Sequence, residues 1–378
     1  IAIEVLDGGA TLTYGQVWCR ITALAEALSA ALSGAEAGRH GTMVALLLPN
    51  EADAVLAYLA CQIAGVAAVP ISTRLAEPEI RFVVEDADAK IILTGGPFAE
   101  VADKLGVNVI RVEDIKTPAA VPRPLLGEGG RGEAPCVVGY TSGTTGFPKG
   151  ALYSNDHYLA ALMRWGWEFG LTADQVMLVP GPLFHLSYAG LSMAALAIGA
   201  RIRIMPEFKA DLALAELTEH CSFAFLVPSM TTMVEEEWRR QGEPLVAAFR
   251  FMISSGAPGP LSMTRTAMQM FPNAKITEAY GWTEGGWVTF EVKQRDTLLA
   301  HSVGWPTFGN EVAVFNEAGE PCDVGQAGEV GVKSVTHFDG YLGREEATAA
   351  AWHRGYVMSG DIGIWQPDGR LCIVDRKK

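Results

Sequence analysis

The sequence predicts an α/β protein: two doubly wound α/β subdomains packed together, then a small antiparallel β-barrel or sheet. Three observations lead there. Continuous apolar runs of strand length alternate with helix-length segments in two separate sets, the pattern of parallel strands covered on both faces. A loop rich in glycine and hydroxyl side chains stands between the sets. From about His301 the texture changes to short strands broken by Asn, Gly, Asp and Pro turns. The expected division is 1–300 for the two α/β subdomains and 301–378 for the small β subdomain.

The first residues read as a strand running into a helix over 14–32, with Thr13 as its cap. Val17, Ile21, Leu24, Ala25 and Leu28 recur at spacings of three and four and give that helix one buried face. Strands are expected over 42–48, 67–71, 89–94 and 107–111, with helices over 51–64, 77–85 and 98–105 between them. Residues 116–134 are rich in Pro and Gly and read as a linker. After the loop come a short strand over 151–153, a helix over 155–167 and a buried strand over 176–179. The second set has helices over 191–198, 211–219, 229–240 and 262–271, and strands over 201–205, 223–227, 251–254 and 275–278. Short strands over 311–315, 328–333 and 362–365 close the chain.

Bulk properties exclude several classes. At 378 residues the chain is too long for one small core. Hydrophobic content of 49% against 19% charged excludes a disordered chain. A net charge of −14 speaks against nucleic-acid binding, which needs a basic footprint. The cysteines at 19, 61, 136, 221, 322 and 372 form no C-x-x-C pair and fit a reducing compartment, so a cytoplasmic location is expected. Nothing at Ile1 resembles a basic-then-apolar signal segment. The apolar stretch 54–71 reads as a helix, a stop at Gly65 and a buried strand, not as a transmembrane segment.

The chemistry concentrates first in the loop. Val137 and Val138 lead a strand through Tyr140 into Thr141-Ser142-Gly143-Thr144-Thr145-Gly146, and Lys149 follows Pro148. Glycines allow close backbone approach. Hydroxyls and free N–H groups suit phosphate oxygens, and the lysine adds a point charge. The spacing Gly143-x-x-Gly146-x-x-Lys149 is not that of a Walker loop, and Pro148 blocks the strand-to-helix step that a Walker loop requires. Four further stretches follow. Ser254-Ser255-Gly256-Ala257-Pro258 is a small-residue turn after a strand. Tyr280-Gly281-Trp282-Thr283-Glu284 places a carboxylate that suits magnesium if a phosphate cradle lies beside it. Ser359-Gly360-Asp361 holds a carboxylate able to accept two hydroxyl donors. Asp375-Arg376-Lys377-Lys378 ends the chain. Read singly, each of these is as well explained by a turn, a cap or a solvated tail.

Together, in this order, these strings closely resemble the motifs of the adenylate-forming enzymes: acyl-CoA synthetases, luciferases and peptide-synthetase adenylation domains. The resemblance runs from Leu12-Thr13-Tyr14 to Lys378 and includes Gly340-Tyr341-Leu342 with Glu346-Ala347-Thr348. It implies an AMP-forming acid–thiol ligase using ATP, Mg2+ and coenzyme A on a small-molecule carboxylic acid. Within that resemblance, Thr141 through Lys149 hold the phosphates and Glu284 the metal. Thr283 donates to the α-phosphate or the substrate carboxylate. Gly256, Ala257, Pro258, Glu278, Tyr280 and Gly281 line the adenine site, and Asp361 and Arg376 take the ribose. His185, Leu186, Met230 and Trp282 line the acyl pocket, with His185 as its gate, and Lys378 is a hinge.

Two departures matter. Glu278 stands where the family usually has Gln or Asn; an ionised carboxylate accepts from the adenine amino group but cannot donate. Leu186 stands where amino-acid-activating members place an Asp, which disfavours an amino-acid substrate. The chain is expected to be the large N-terminal domain, with the C-terminal domain and its adenylation lysine absent, and so to be impaired in turnover. Alternatives left open are transfer to a carrier protein, a non-catalytic nucleotide- or acyl-binding fragment, and assembly as a homodimer.

Overall fold

The computed structural model describes residues 1–32, 41–119, 132–141 and 148–377. The chain divides into two compact units. One comprises Ile1–Asp174, Gly181–Glu207 and Phe338–Glu345; the other comprises Gln175–Pro180, Phe208–His337 and Glu346–Lys378.

The first unit is built on a seven-stranded sheet. Its strand order is Gly340–Tyr341, Lys149–Ser154, Pro135–Thr141, Ala67–Pro70, Met43–Leu47, Ile91–Thr94, Asn108–Arg111. The pairings from Pro135–Thr141 to Asn108–Arg111 are parallel; the other two are antiparallel. The inner parallel strands Ala67–Pro70 and Ile91–Thr94 are buried throughout, as their apolar sequences require, while the edge strand Asn108–Arg111 is not. Ala45, Leu47, Val69, Ile92 and Val138 pack there against Ile80, Val83 and Val84 of the helix Glu77–Asp86. Each such aliphatic side chain contributes about 1.5–3 kcal/mol by leaving water. Thr13 caps the helix Tyr14–Ala31 in a reciprocal box with Gln16. The apolar stretch resolves into the helix Ala52–Ala64, a left-handed Gly65 at φ 69°, and the strand Ala67–Pro70. No helix among the described residues is long and apolar enough to cross a membrane. Ile3–Val5 also pairs parallel with Arg201–Ile204 and antiparallel with Thr11–Leu12.

In the second unit, Val176–Val179, Phe223–Leu226, Phe251–Ser254 and Lys275–Trp282 run parallel in that order. Antiparallel strands continue the sheet: Gly286–Val292, Ser302–Pro306, Leu371–Arg376, Tyr356–Trp365, Ala327–Ser334 and Asn310–Phe315. Val303, Val314, Val330 and Leu371 form the core of this antiparallel part.

Several elements differ from the sequence expectation, among them the unexpected strands Ser302–Pro306 and Leu371–Arg376. The helix expected over 191–198 begins at Leu186, with Tyr188, Ala189 and Gly190 buried in its first turns. The strand expected over 275–278 runs on to Trp282 and folds back as Gly286–Val292, a strand not foreseen. Gly281 permits this: a Cβ there would lie 2.0 Å from the Gly286 carbonyl oxygen. The helix expected over 98–105 shortens to Ala99–Ala102 after a single 3₁₀ turn, Gly96–Phe98.

Candidate active site

Each unit carries part of the constellation. In the first unit the loop is the connection of a β-hairpin. Pro135–Thr141 leads in, Lys149–Ser154 leads out, and Thr141 stands opposite Lys149. A hairpin stem is unlike the strand-to-helix step of a Walker loop, as the spacing indicated. Ser142, Gly143, Thr144, Thr145 and Gly146 lie outside the described residues, as does Lys378. The Lys149 ammonium sits 5.2 Å from the centroid of the Tyr341 ring, within the reach of a cation–π contact. At the other side of the stem, the Tyr140 hydroxyl donates to Asp86 Oδ2 at 2.8 Å, and Arg344 pairs with Asp86 Oδ1.

His185 precedes the helix Leu186–Ile198, with backbone angles of −82° and 128°, so the helix begins at Leu186. His185 is exposed as a residue, yet partial desolvation of the imidazole lowers its pKa, and the charge of Arg74 adds to the effect, favouring the neutral ring. Its ring lies 4.7 Å from that of Phe184.

In the second unit, residues far apart in sequence meet. The parallel strands Phe251–Ser254 and Lys275–Trp282 bring Ser254 opposite Glu278, at the carboxyl ends where open α/β sheets take ligands. The turn Gly256-Ala257-Pro258 leaves from there, exposed, with Gly256 at φ 91°. Two residues beyond Glu278, the Tyr280 hydroxyl donates to Asp361 Oδ2 at 2.8 Å across 81 residues of sequence. Burial first, and the charge of Asp361 next, push the phenol far above its ordinary value, so it remains a donor. Asp361 pairs in register with Arg376, whose Nε lies 3.7 Å from Asp361 Oδ1. The Ser359 hydroxyl accepts from the Asp361 amide at 2.9 Å, and Gly360 takes φ 73°. Ser359-Gly360-Asp361 therefore lies within the strand Tyr356–Trp365, not in a free turn.

Glu278 behaves differently from the ionised carboxylate assumed from sequence. Burial raises its pKa to about 7, against opposing effects of Lys293 and the Ser254 hydroxyl. Near neutrality a large share of molecules carries a carboxyl O–H, which donates as well as accepts. Lys293 is itself held by Glu291 Oε2 at 2.7 Å and by the Ser302 carbonyl at 2.6 Å. Sequence reasoning missed this buried group, because Glu291 lies on, and Lys293 directly follows, a strand it did not foresee.

Thr283 and Glu284 stand in the tight connection between Trp282 and Gly286, both partly buried. Gly285 is needed beside them, since a Cβ there would lie 2.6 Å from the Trp282 ring. Among the described residues no three His, Cys, Asp or Glu side chains cluster as a self-contained metal cage. A carboxylate such as that of Glu284 fits magnesium, which dehydrates reluctantly and binds through one or two carboxylates plus substrate phosphates. The Trp282 ring lies 5.7 Å from that of Tyr280, tilted by 45°, and Met230 lies on the helix Pro228–Arg240.

Comparisons with known proteins agree with this geometry. The pattern of a family described as "AMP-binding enzyme" matches residues 1–342. A feruloyl-CoA synthase of an Amycolatopsis species is 29% identical over 381 residues, covering 100% of this chain and 76% of that one. A long-chain-fatty-acid–CoA ligase, FadD13, of Mycobacterium tuberculosis is 29% identical over 354 residues, covering 89% and 69%. Among solved structures, the inhibitor-bound N-terminal domain of FACL13 from the same organism superposes with a TM-score of 0.88 at 28% identity. It covers 99% of this chain and 95% of that one.

Proposed function

The chain belongs to the AMP-binding enzyme family, and on that premise we propose that it activates an aryl or fatty carboxylic acid with ATP and passes the acyl group to coenzyme A. The acid's carboxylate oxygen attacks the α-phosphorus of ATP, and pyrophosphate leaves with the bridging oxygen and its electron pair. The sulfur of coenzyme A then attacks the acyl carbonyl, losing its proton, and AMP leaves. The similarity to a feruloyl-CoA synthase and a long-chain-fatty-acid–CoA ligase supports an aryl or fatty acid. Leu186 supplies no carboxylate for a substrate ammonium, which supports an acid without an amino group.

The observation that carries the reading is the cluster of Glu278, Tyr280, Asp361 and Arg376 at the carboxyl edge of the second unit's sheet. Asp361 offers acceptor capacity for ribose hydroxyls while the Tyr280 hydroxyl fixes one of its oxygens. The face of Tyr280 and the turn 256–258 suit adenine. Lys149 and the loop take the β- and γ-phosphates. A magnesium ion held by Glu284 and those phosphates would neutralise the charge that builds on the leaving pyrophosphate. The protein's contribution is thus positioning and charge compensation. None of the six cysteines forms a disulfide, which supports a reducing, cytoplasmic setting.

The test is pyrophosphate release in the presence of MgATP and a panel of aryl, medium-chain and amino acids. Release with aryl or fatty acids exceeding that with amino acids is expected. Faster release with amino acids, or none with any acid while MgATP binds, overturns the reading.

A further inference from the structure

The segment 338–345 belongs to the first unit, although the chain on either side of it belongs to the second. It lies as an edge strand along the strand that leaves the phosphate loop. Gly340 and Tyr341 stand opposite Leu152 and Ala151. The Asp339 amide donates to the Leu152 carbonyl at 2.8 Å, the Leu342 amide to the Gly150 carbonyl at 2.9 Å, and the Ser154 amide to Asp339 Oδ2 at 2.6 Å. Arg344 meanwhile reaches Asp86, 258 residues away in sequence, and Asp86 accepts from the Tyr140 hydroxyl. One short segment thereby grips both stems of the loop.

We propose that this segment fixes the stem strands from which Lys149 projects, and that the Tyr341 ring is the floor that holds the Lys149 ammonium ready for the β- and γ-phosphates of a nucleoside triphosphate. The proposal rests on the reading of Lys149 given above and deepens it. A lysine has a long stem with much rotamer freedom to lose when its ammonium is fixed. A partner that fixes it beforehand removes that cost from binding. A carboxylate would do so by neutralising the charge and would have to be displaced by phosphate. An aromatic face does so through its quadrupole and leaves the charge and the outward N–H donors intact. In a chain of net charge −14 that distinction has weight. Among the described residues Lys149 takes part in no ion pair, and it is only partly exposed. Tyr341 is in turn buttressed by Phe338, whose ring lies 5.0 Å away.

The experiment measures the affinity of the full chain and its variants for MgATP, magnesium pyrophosphate and adenosine by calorimetry. Tyr341→Leu removes the ring face and keeps an apolar side chain; Tyr341→Phe keeps the face and removes the hydroxyl. Tyr341→Leu is expected to weaken MgATP and pyrophosphate two- to fivefold, the range of a cation–π contact at a partly exposed site. Adenosine affinity is expected to be unchanged, and Tyr341→Phe to match the parent. In a Lys149→Met background, Tyr341→Leu should cause no further loss. Equal phosphate affinity in all variants, an equal loss in Tyr341→Phe, or an undiminished loss without Lys149 overturns the role of Tyr341. Tyr341→Met is a second ring-less variant should the leucine chain not fold. A parent chain that binds neither MgATP nor pyrophosphate overturns the functional reading itself, which separates the two failures.

Discussion

Glu278→Gln isolates the carboxyl that sequence reading treated as permanently ionised. The side chain's pKa lies at about 7 in the folded chain, against an ordinary value of 4.5, and burial is the main cause. At about 1.4 kcal/mol per pH unit, that displacement corresponds to roughly 3 kcal/mol of penalty on the ionised form. Residual solvent contact at this partly buried position reduces the observable effect to about 1–2 kcal/mol. The folded chain holds the proton more tightly than the unfolded chain does. Its stabilisation is therefore whole below about pH 4.5 and is lost as pH rises through about 7. Lys293 and Ser254 oppose the rise and Glu291 adds to it, so these are the groups that set the midpoint. Glutamine keeps the shape and an acceptor, adds an amide donor, and does not titrate. Urea unfolding at pH 5, 6, 7 and 8 should show the parent losing about 1–2 kcal/mol relative to Glu278→Gln across that range. Parallel stability curves for the two chains would refute the assignment of a proton to this site.

Other outcomes follow from the same geometry. Asp361→Asn should raise the KM for ATP at least tenfold, the scale of a lost charged hydrogen bond, with the KM for the acid nearly unchanged; equal effects on both would remove Asp361 from the ribose. For Glu284→Gln, the magnesium dependence of ATP binding should disappear while the melting temperature stays put, and calorimetry with and without the metal decides it. Gly281→Ala should destabilise the chain by about 3 kcal/mol, since its Cβ would meet a backbone carbonyl that cannot yield; a melt within a degree or two of the parent would contradict the close approach described here.

Much of the architecture was legible because it rests on local rules. Thr13 with Gln16 is a capping box that a four-residue window reveals, and Gly65 sits where the helix must stop. The buried parallel strands announce themselves as unbroken apolar runs. The strand Gly286–Val292 was hidden because it follows a glycine-rich connection in which Gly281 and Gly285 serve close packing, a role visible only in three dimensions. The start of the helix Leu186–Ile198 was hidden by small and hydroxylated residues whose inward placement depends on their neighbours. At the site, each motif residue was found from its own string, but the links between strings were not. Tyr280 with Asp361, Asp86 with Arg344, and Lys149 with Tyr341 are contacts across long sequence separations. The proton on Glu278 likewise depends on burial, which a lone sequence does not display.

The central claim is that a carboxylate oxygen attacks the α-phosphorus of ATP. Supplying an aryl or fatty acid labelled with ¹⁸O in its carboxylate, together with MgATP and coenzyme A, tests this directly by mass spectrometry of the products. The account predicts one labelled oxygen in AMP and none in pyrophosphate. Unlabelled AMP, or label in pyrophosphate or phosphate, would contradict it.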